Sequence, residues 1–589
     1  MPMKNSYYDD VARKLHYEEH PALTVPGVAA YQGFEDIVRA LSARIDRAGK
    51  TVVVRDYYHG VNEALIKREI IDRLGADVLI DTERAHYPEQ VIQEKFGEYI
   101  TDDRIMGVYF WDTVERFFDL ALVQQLNSEI DAAEGLVVVY GVCAGAVRKS
   151  CDLHVYFIID LQTIKNRYAH GMPNLGAENG EEEQLRKEKR LMFFEGYAQD
   201  RYKREPLSKA DYIVDANRDD DFTMLDRAGY DTVMSFAAAN PIKLVTLVWP
   251  GIWGGDWQQK VLGLARDEVN SAWGLNGNFD FQSYACKVGD ALFEMPANDL
   301  IYVDPKGVIG DRLWQLYGYR CPFHCNYLDT YGGQNLSLQV HPTLWYAQEV
   351  CNSRWGHYES YYFMDAKDDG SVYLGTKTDV KRDELVAAFE EAQETGTFDD
   401  GRYINHLPMK RHDHIFIPAG TIHSAGVNSC VLEIDMLTFI TFKLWDWGRV
   451  DLDGKPRPIN IDHGKHVIQE DYQTEFVKDE LVARYPEVDR GDGWRKENAG
   501  MTSLEAPLDV DRYWFSKPIH LDTRGGIELV VLVDGEQAVI ESETEAFDPM
   551  VLNYGESVFI PASIGQYRVR PYGMSEGEEI GMLQVYMRR

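Results

Sequence analysis

Asn335-Leu-Ser-Leu-Gln-Val-His-Pro342 is the stretch on which the reading of this chain turns. Alternation along a strand puts Gln339 and His341 on one face, with Leu336, Leu338 and Val340 on the other. Further on, Glu359 precedes Ser360-Tyr-Tyr-Phe-Met-Asp365, again with the texture of a strand. Then His414-Ile-Phe-Ile-Pro-Ala-Gly-Thr-Ile-His423 reads as a strand, a Pro-Ala-Gly turn and a histidine directed inward. Each histidine alone has a plain structural reading, a hydrogen-bonded residue on a strand. Together, one amide oxygen, two imidazoles and one carboxylate make a donor set that suits zinc or a similar divalent ion, with a position left open.

Around this core, residues 236–500 are short β-rich segments with frequent glycine and aromatics, interrupted by one amphipathic helix over Val380 to Glu394, patterned on Leu385, Ala388 and Phe389. Residues 501–589 are a further run of short strands with turns at Asp534-Gly535 and Tyr554-Gly555, which predicts a sandwich or barrel. Residues 1–235 alternate strand and helix. Thr51-Val-Val-Val-Arg55, Ala76-Asp-Val-Leu-Ile80, Gly135-Leu-Val-Val-Val-Tyr140 and Leu153-His-Val-Tyr-Phe-Ile-Ile159 are apolar runs, and Glu63 to Leu74 is helical in period. Such runs predict parallel strands buried on both faces, a doubly wound α/β layer. Glu178 to Glu183 followed by Arg186-Lys-Glu-Lys-Arg190 reads as a solvated helix start with i,i+4 pairs.

The central run resembles the type I mannose-6-phosphate isomerases, a zinc-dependent cupin (jelly-roll) family. The resemblance rests on Gly251-Ile-Trp-Gly-Gly255, Tyr327-Leu-Asp-Thr330, Leu336 to Pro342, Gly356-His-Tyr-Glu-Ser-Tyr-Tyr362, Pro418-Ala-Gly-Thr-Ile-His423 and Val431-Leu-Glu433, roughly residues 248–465. It implies an aldose–ketose isomerase acting on a sugar phosphate, mannose 6-phosphate to fructose 6-phosphate or a close relative, through a cis-enediol. It also implies Gln339, His341, Glu359 and His423 as metal ligands. The departures are Asn326 and His357 where the family has lysine, and Lys443 where it has its catalytic arginine; the partnering Glu433 is retained. Lysine cannot reproduce the bidentate fork of arginine. His357 and Glu433 are the candidate bases, and Lys443 the candidate contact for an oxyanion or phosphate. The other reading of the same departures is a metal cupin that binds a sugar without turning it over.

The first region resembles a P-loop kinase of the uridine kinase or phosphoribulokinase kind in layout only. Setting Gly60 as the second glycine of Gly-x-x-x-x-Gly-Lys-Ser/Thr puts Val61 and Asn62 where lysine and serine are needed, and Gly141 to Gly145 is followed by Ala146, Val147 and Arg148. A non-catalytic domain is expected. The last region resembles a second cupin without a metal, in which Val558-Phe-Ile-Pro-Ala-Ser-Ile-Gly-Gln566 parallels Phe416 to His423, with Ser563 and Gln566 in place of glycine and histidine.

The 589 residues carry a formal charge of −35. That surface repels nucleic-acid backbones and anionic membranes, so neither is an expected partner. A small sugar or sugar phosphate is, held by a local cation. Seven scattered cysteines, an odd number, and the lack of a leader or long apolar stretch predict a cytoplasmic protein. Oligomeric state is not legible at this level.

Overall fold

The computed structural model describes residues 7–9, 16–500 and 506–588. The expected outer ends at 1 and 589 and the expected start of the last region at 501 lie outside the described residues. The chain condenses into two compact units, one of residues 22–237 and 280–304, the other of 1–21, 238–279 and 305–589.

The first unit is built on a seven-stranded mixed sheet. Its strands are β1 (Tyr31–Gln32), β2 (Thr51–Tyr57), β3 (Val78–Asp81), β4 (Leu136–Val142), β5 (Leu153–Ile158), β6 (Tyr212–Asp215) and β7 (Thr223–Asp226), in the spatial order β1-β7-β6-β5-β2-β4-β3. The strands β3, β4, β2, β5 and β6 run parallel, while β7 is antiparallel to both its neighbours. Consecutive residues Val52, Val53 and Val54 are all buried, as are Val137, Val138 and Val139, so both faces of the parallel core are covered. This unit also recruits a hairpin from far along the chain. Ser283–Val288 pairs antiparallel with Ala291–Pro296 and parallel with Ala22–Val25. A buried ion pair, Lys203 to Asp299 at 2.7 Å, anchors the same excursion.

The basic run at 186–190 is not the solvated face its charge suggests. Lys187, Lys189 and Arg190 are buried on the Gln184–Arg190 helix. The Lys187 ammonium donates to the carbonyls of Tyr168, Met172 and Gly180, and Arg190 pairs with buried Glu195 at 3.2 Å. Full hydrogen bonding is what makes such burial tolerable.

The second unit contains two double sheets. The first has the strands β8 (Leu247–Trp249), β9 (Trp273–Gly277), β10 (Phe323–Asp329), β11 (Leu338–Val340), β12 (Tyr358–Ala366), β13 (Ser371–Thr376), β14 (Ile404–Pro408), β15 (His414–Pro418), β16 (His423–Ala425), β17 (Ser429–Met436) and β18 (Phe442–Trp445). They form an antiparallel six-stranded sheet, β15-β12-β17-β10-β9-β8, and a five-stranded one, β14-β13-β16-β11-β18. The interrupting helix spans Arg382–Thr395, two residues later in start than its pattern suggested, and buries Leu385, Phe389 and Ala392. The second double sheet has six strands (Glu487–Gly491, Trp494–Asn498, Leu508–Phe515, Ile580–Met587, Glu528–Asp534, Ser557–Ile560) and four (Ile519–Asp522, Gln566–Pro571, Gln537–Ser542, Met550–Asn553). Among the described residues no helix is long and apolar enough to cross a membrane.

Candidate metal centre

Strand register alone assembles the polar interior of the first double sheet. Across β10, β17 and β12, His324 lies opposite Asp435 and Asp435 opposite Glu359; one step along, Asn326 lies opposite Glu433 and Glu433 opposite Tyr361. On the other sheet His423 pairs with Gln339, which pairs with Lys443. Directly opposed residues of paired strands share a face. Each sheet thus presents a short polar row, and the rows meet where Glu359 reaches His341 and His423.

The turn before His423 needs its glycine. Gly420 has φ +85, and a Cβ there would sit 2.5 Å from both the Val467 carbonyl oxygen and Gln469 Cγ. Its backbone N–H donates to the carbonyl of His341 at 3.0 Å, which holds the turn against the other histidine. His423 follows, fully buried.

Glu359 Oε2 is 2.8 Å from His341 Nε2 and 3.0 Å from His423 Nε2. The far nitrogens fix which atom carries the proton. His341 Nδ1 donates to the Ile440 carbonyl at 3.1 Å and His423 Nδ1 to the Thr421 carbonyl at 2.9 Å. In the neutral rings both Nε2 atoms are therefore lone pairs, aimed at an oxygen that also only accepts. Three acceptors converge on one point. Two imidazolium protons would relieve this only by burying two like charges on rings 4.9 Å apart. One divalent cation relieves it for all three, and backbone carbonyls behind the histidines are the usual orienting partners. The Gln339 amide places its nitrogen, a donor, 3.2 Å from His423 Nε2. Its nitrogen and oxygen exchange places by a flip of the amide, which turns an oxygen donor toward the same point. The donor chemistry thus fits a zinc-like ion.

Ionisation follows the same geography. Burial opposes the charge on Glu359, yet His423 and His341, where their rings carry the proton, hold its carboxyl well below the usual range. Glu433 is pushed well above that range by burial and then by Asp435 and Glu359; Asp435 is raised by burial and then by Glu359. His357 is held well below the ordinary imidazole value by burial, with His341 adding to it. Asn326 donates to Glu433 Oε2 at 3.2 Å.

All seven residues singled out from the sequence come to this interior or its edge, Lys443 by its register beside Gln339. Two buried members had no place in that reading: His324, whose Nε2 is 3.2 Å from Asp435 Oδ2, and Asp435 itself. The signal was present, because each lies two residues from a position already singled out, Asn326 and Glu433, on the same strand face. Cys321 and Cys325, which flank His324, are buried thiols with no role in the cluster.

Comparison with known proteins agrees in part. Residues 33–239 match a domain family of unknown function, DUF8485. Mannose-6-phosphate isomerase ManA of Bacillus subtilis is 26% identical over 276 residues, 45% of this chain and 80% of that one. The chain is a distant relative of the mannose-6-phosphate isomerases. The Streptococcus mutans enzyme of that name is 24% identical over 234 residues, 39% of this chain and 68% of its own length. Among solved structures, the mannose 6-phosphate isomerase of Bacillus subtilis aligns over 59% of this chain and 99% of its own, at 17% identity and a TM-score of 0.45. A variant of the Salmonella typhimurium phosphomannose isomerase does so over 59% and 100%, at 13% and 0.44.

Proposed function

We propose that this chain is a metal-dependent aldose–ketose isomerase acting on a sugar phosphate, mannose 6-phosphate or a close relative, with Gln339, His341, Glu359 and His423 as the ligands of a zinc-like ion. The observation that supports the reading is the convergence of His341 Nε2 and His423 Nε2 on Glu359 Oε2, at 2.8 and 3.0 Å, all buried, with each ring's Nδ1 against a backbone carbonyl. When bound, a divalent ion supplies polarisation of the sugar carbonyl and stabilisation of the negative charge that develops on it.

The chain's own groups supply the rest. Glu433 is the proton carrier: burial and two neighbouring carboxylates raise its affinity for a proton, which suits a group that must take one from carbon and return it to the adjacent carbon of a cis-enediol. Asn326 orients it through the 3.2 Å hydrogen bond to Oε2. Lys443, beside Gln339, is the contact for the phosphate or oxyanion. In a chain of charge −35 such an anion needs a local cation. The α/β unit takes no part in the chemistry; kinase-like in layout, it carries no phosphate-cradling lysine after Gly60 or Gly145.

A second reading, a sugar-binding cupin without turnover, draws on Asn326 and His357, neutral side chains at positions where the resembled family carries lysine. A coupled isomerase assay over a panel of phosphosugars, with and without chelator, separates the two. Chelator-sensitive turnover is expected. Saturable sugar binding by metal-replete protein, with no turnover of any member, would replace the first reading with the second.

A further inference from the structure

The polar interior of the first double sheet contains more donor atoms than one ion uses. Among the buried side-chain atoms there that make no hydrogen bond are His357 Nε2, Glu359 Oε1 and Asp435 Oδ1, together with Asn326 Oδ1 and the Tyr361 hydroxyl. The first three belong to residues that lie close enough to hold a cation, each offering one donor atom within 4.8 Å of the others. His357 and Asp435 lie outside the four-ligand set, whereas Glu359 is shared, with its other oxygen, Oε2, turned to His341 and His423.

We propose that this chain has a second divalent-cation position, formed by His357, Asp435 and the outward oxygen of Glu359, so that Glu359 bridges two ions. The proposal rests on the reading of the first position as a metal centre. Proton placement argues for it. His357 Nδ1 lies 2.6 Å from the Thr438 carbonyl and 3.1 Å from the Thr438 hydroxyl, so it carries the hydrogen and Nε2 is a lone pair. That lone pair is 3.8 Å from Asp435 Oδ1, another acceptor. Ligand bonds of about 2.0–2.2 Å place two donors of one ion at roughly 3–4 Å from each other. Leaving such acceptors buried and unsatisfied is unfavourable, most of all where one is charged.

The surroundings have the form of a ligand shell. His324 Nε2 lies 3.2 Å from the other Asp435 oxygen, the arrangement in which a neighbouring side chain orients a ligating carboxylate. The rings of His357 and His341 stack with centroids 3.7 Å apart, so their Nε2 atoms address neighbouring points along the Glu359 carboxylate. Two-ion sites that share a carboxylate have spacings of about 3.5–4 Å. The second position has two carboxylates and one imidazole, harder than the first, and so favours manganese or zinc over soft ions. For a sugar it offers a second contact, which lets the pair grip adjacent oxygens of the open chain.

The test uses the full chain and metal alone. Metal-free protein is saturated with cobalt(II) or manganese(II), freed of excess, and counted by mass spectrometry, with the electron spin resonance of the manganese form recorded alongside. The expected result is about two ions per chain and a spin-coupled spectrum, as for a carboxylate-bridged pair. His357→Asn and Asp435→Asn should each reduce the count to one and abolish the coupling. His324→Gln should weaken only the second ion, and circular dichroism confirms that the variants fold. One ion per chain, lost in His423→Asn and indifferent to His357→Asn, would overturn this inference and leave the proposed function standing. No bound ion in the wild-type chain would overturn both.

Discussion

The two double sheets of the second unit share a strand–Pro–turn–strand frame and do opposite things with it. In the first, the turn after Pro418 delivers His423 to the interior, where its Nε2 meets Glu359 Oε2 at 3.0 Å. In the second, the strand after the turn at Ala562–Ile564 begins with Gln566, which is exposed, and the next residue, Tyr567, is buried in its place. Tyr567 donates to Glu528 Oε2 at 3.0 Å and Gln584 donates to the same oxygen at 2.8 Å. One interior gathers buried imidazole and carboxylate atoms that could hold a cation; the other is a carboxylate with two donors of its own. A one-residue change in which side chain enters is enough, because strand alternation sends neighbours to opposite faces. The frame is a scaffold, and which side chains it turns inward decides the chemistry of its interior.

The comparison breaks most sharply on metal. His423→Ala should weaken binding of the first ion by more than about 100-fold, since outer partners of ligands alone are worth about 10–100-fold. Gln566→Ala, at the matching place in the second sheet pair, should leave metal content unchanged. Mass-spectrometric metal counts on the two purified variants check this, and equal retention in both would dissolve the contrast.

Next in size is Lys443→Met. Loss of a charge-assisted contact of about 1.5–3 kcal/mol corresponds to roughly a 10- to 150-fold drop in kcat/KM for a phosphosugar. Metal content should stay constant, and Lys443→Arg should restore or raise activity. Normal kinetics in the Met variant would remove Lys443 from the site.

Acid sensitivity gives a third test. His414, on β15 of the first double sheet, is held down to about 3 by burial, with Arg512 adding to it. The unfolded chain protonates this ring near 6.5 and the folded chain does not, so stability falls as pH drops from about 6.5 toward 3. The slope from this one group approaches about 1.4 kcal/mol per pH unit well below 6.5. Urea unfolding at pH 6, 5 and 4 should show a flatter decline for His414→Gln than for the wild type. Parallel slopes would mean that His414 is protonated within the fold.

The smallest effect concerns the self-satisfied interior. Tyr567→Phe removes one of two donors to buried Glu528 and should cost about 1–2 kcal/mol of stability. Metal content and turnover should not change. A change in either would show that the two double sheets are coupled.

Much of the candidate site was legible because its chemistry follows strand periodicity. Gln339 and His341 are two apart, His423 follows a turn that requires Gly420, and Glu359 opens a strand of obvious pattern. His324 and Asp435 escaped because each lies two residues along the strand from a residue singled out for another reason, Asn326 and Glu433, and neither belongs to the four-ligand pattern. The basic run at 186–190 was misread because charge alone says nothing of the three carbonyls that wait for Lys187.

By itself the sequence determined the local geometry: which residues alternate, where turns need glycine, which apolar runs are strands buried on both sides, and which donors share a face. These are properties of a few neighbouring residues, and backbone sterics and periodicity settle them. Only the tertiary structure decided what depends on residues far apart in the chain. It brought the excursion 280–304 into the α/β unit, matched His324, Asp435 and Glu359 across three strands, and turned the Nδ1 atoms of three histidines toward carbonyls so that their other nitrogens stand as lone pairs. A meeting of imidazoles and carboxylates is a property of a closed interior, visible once strands far apart in the sequence are in place.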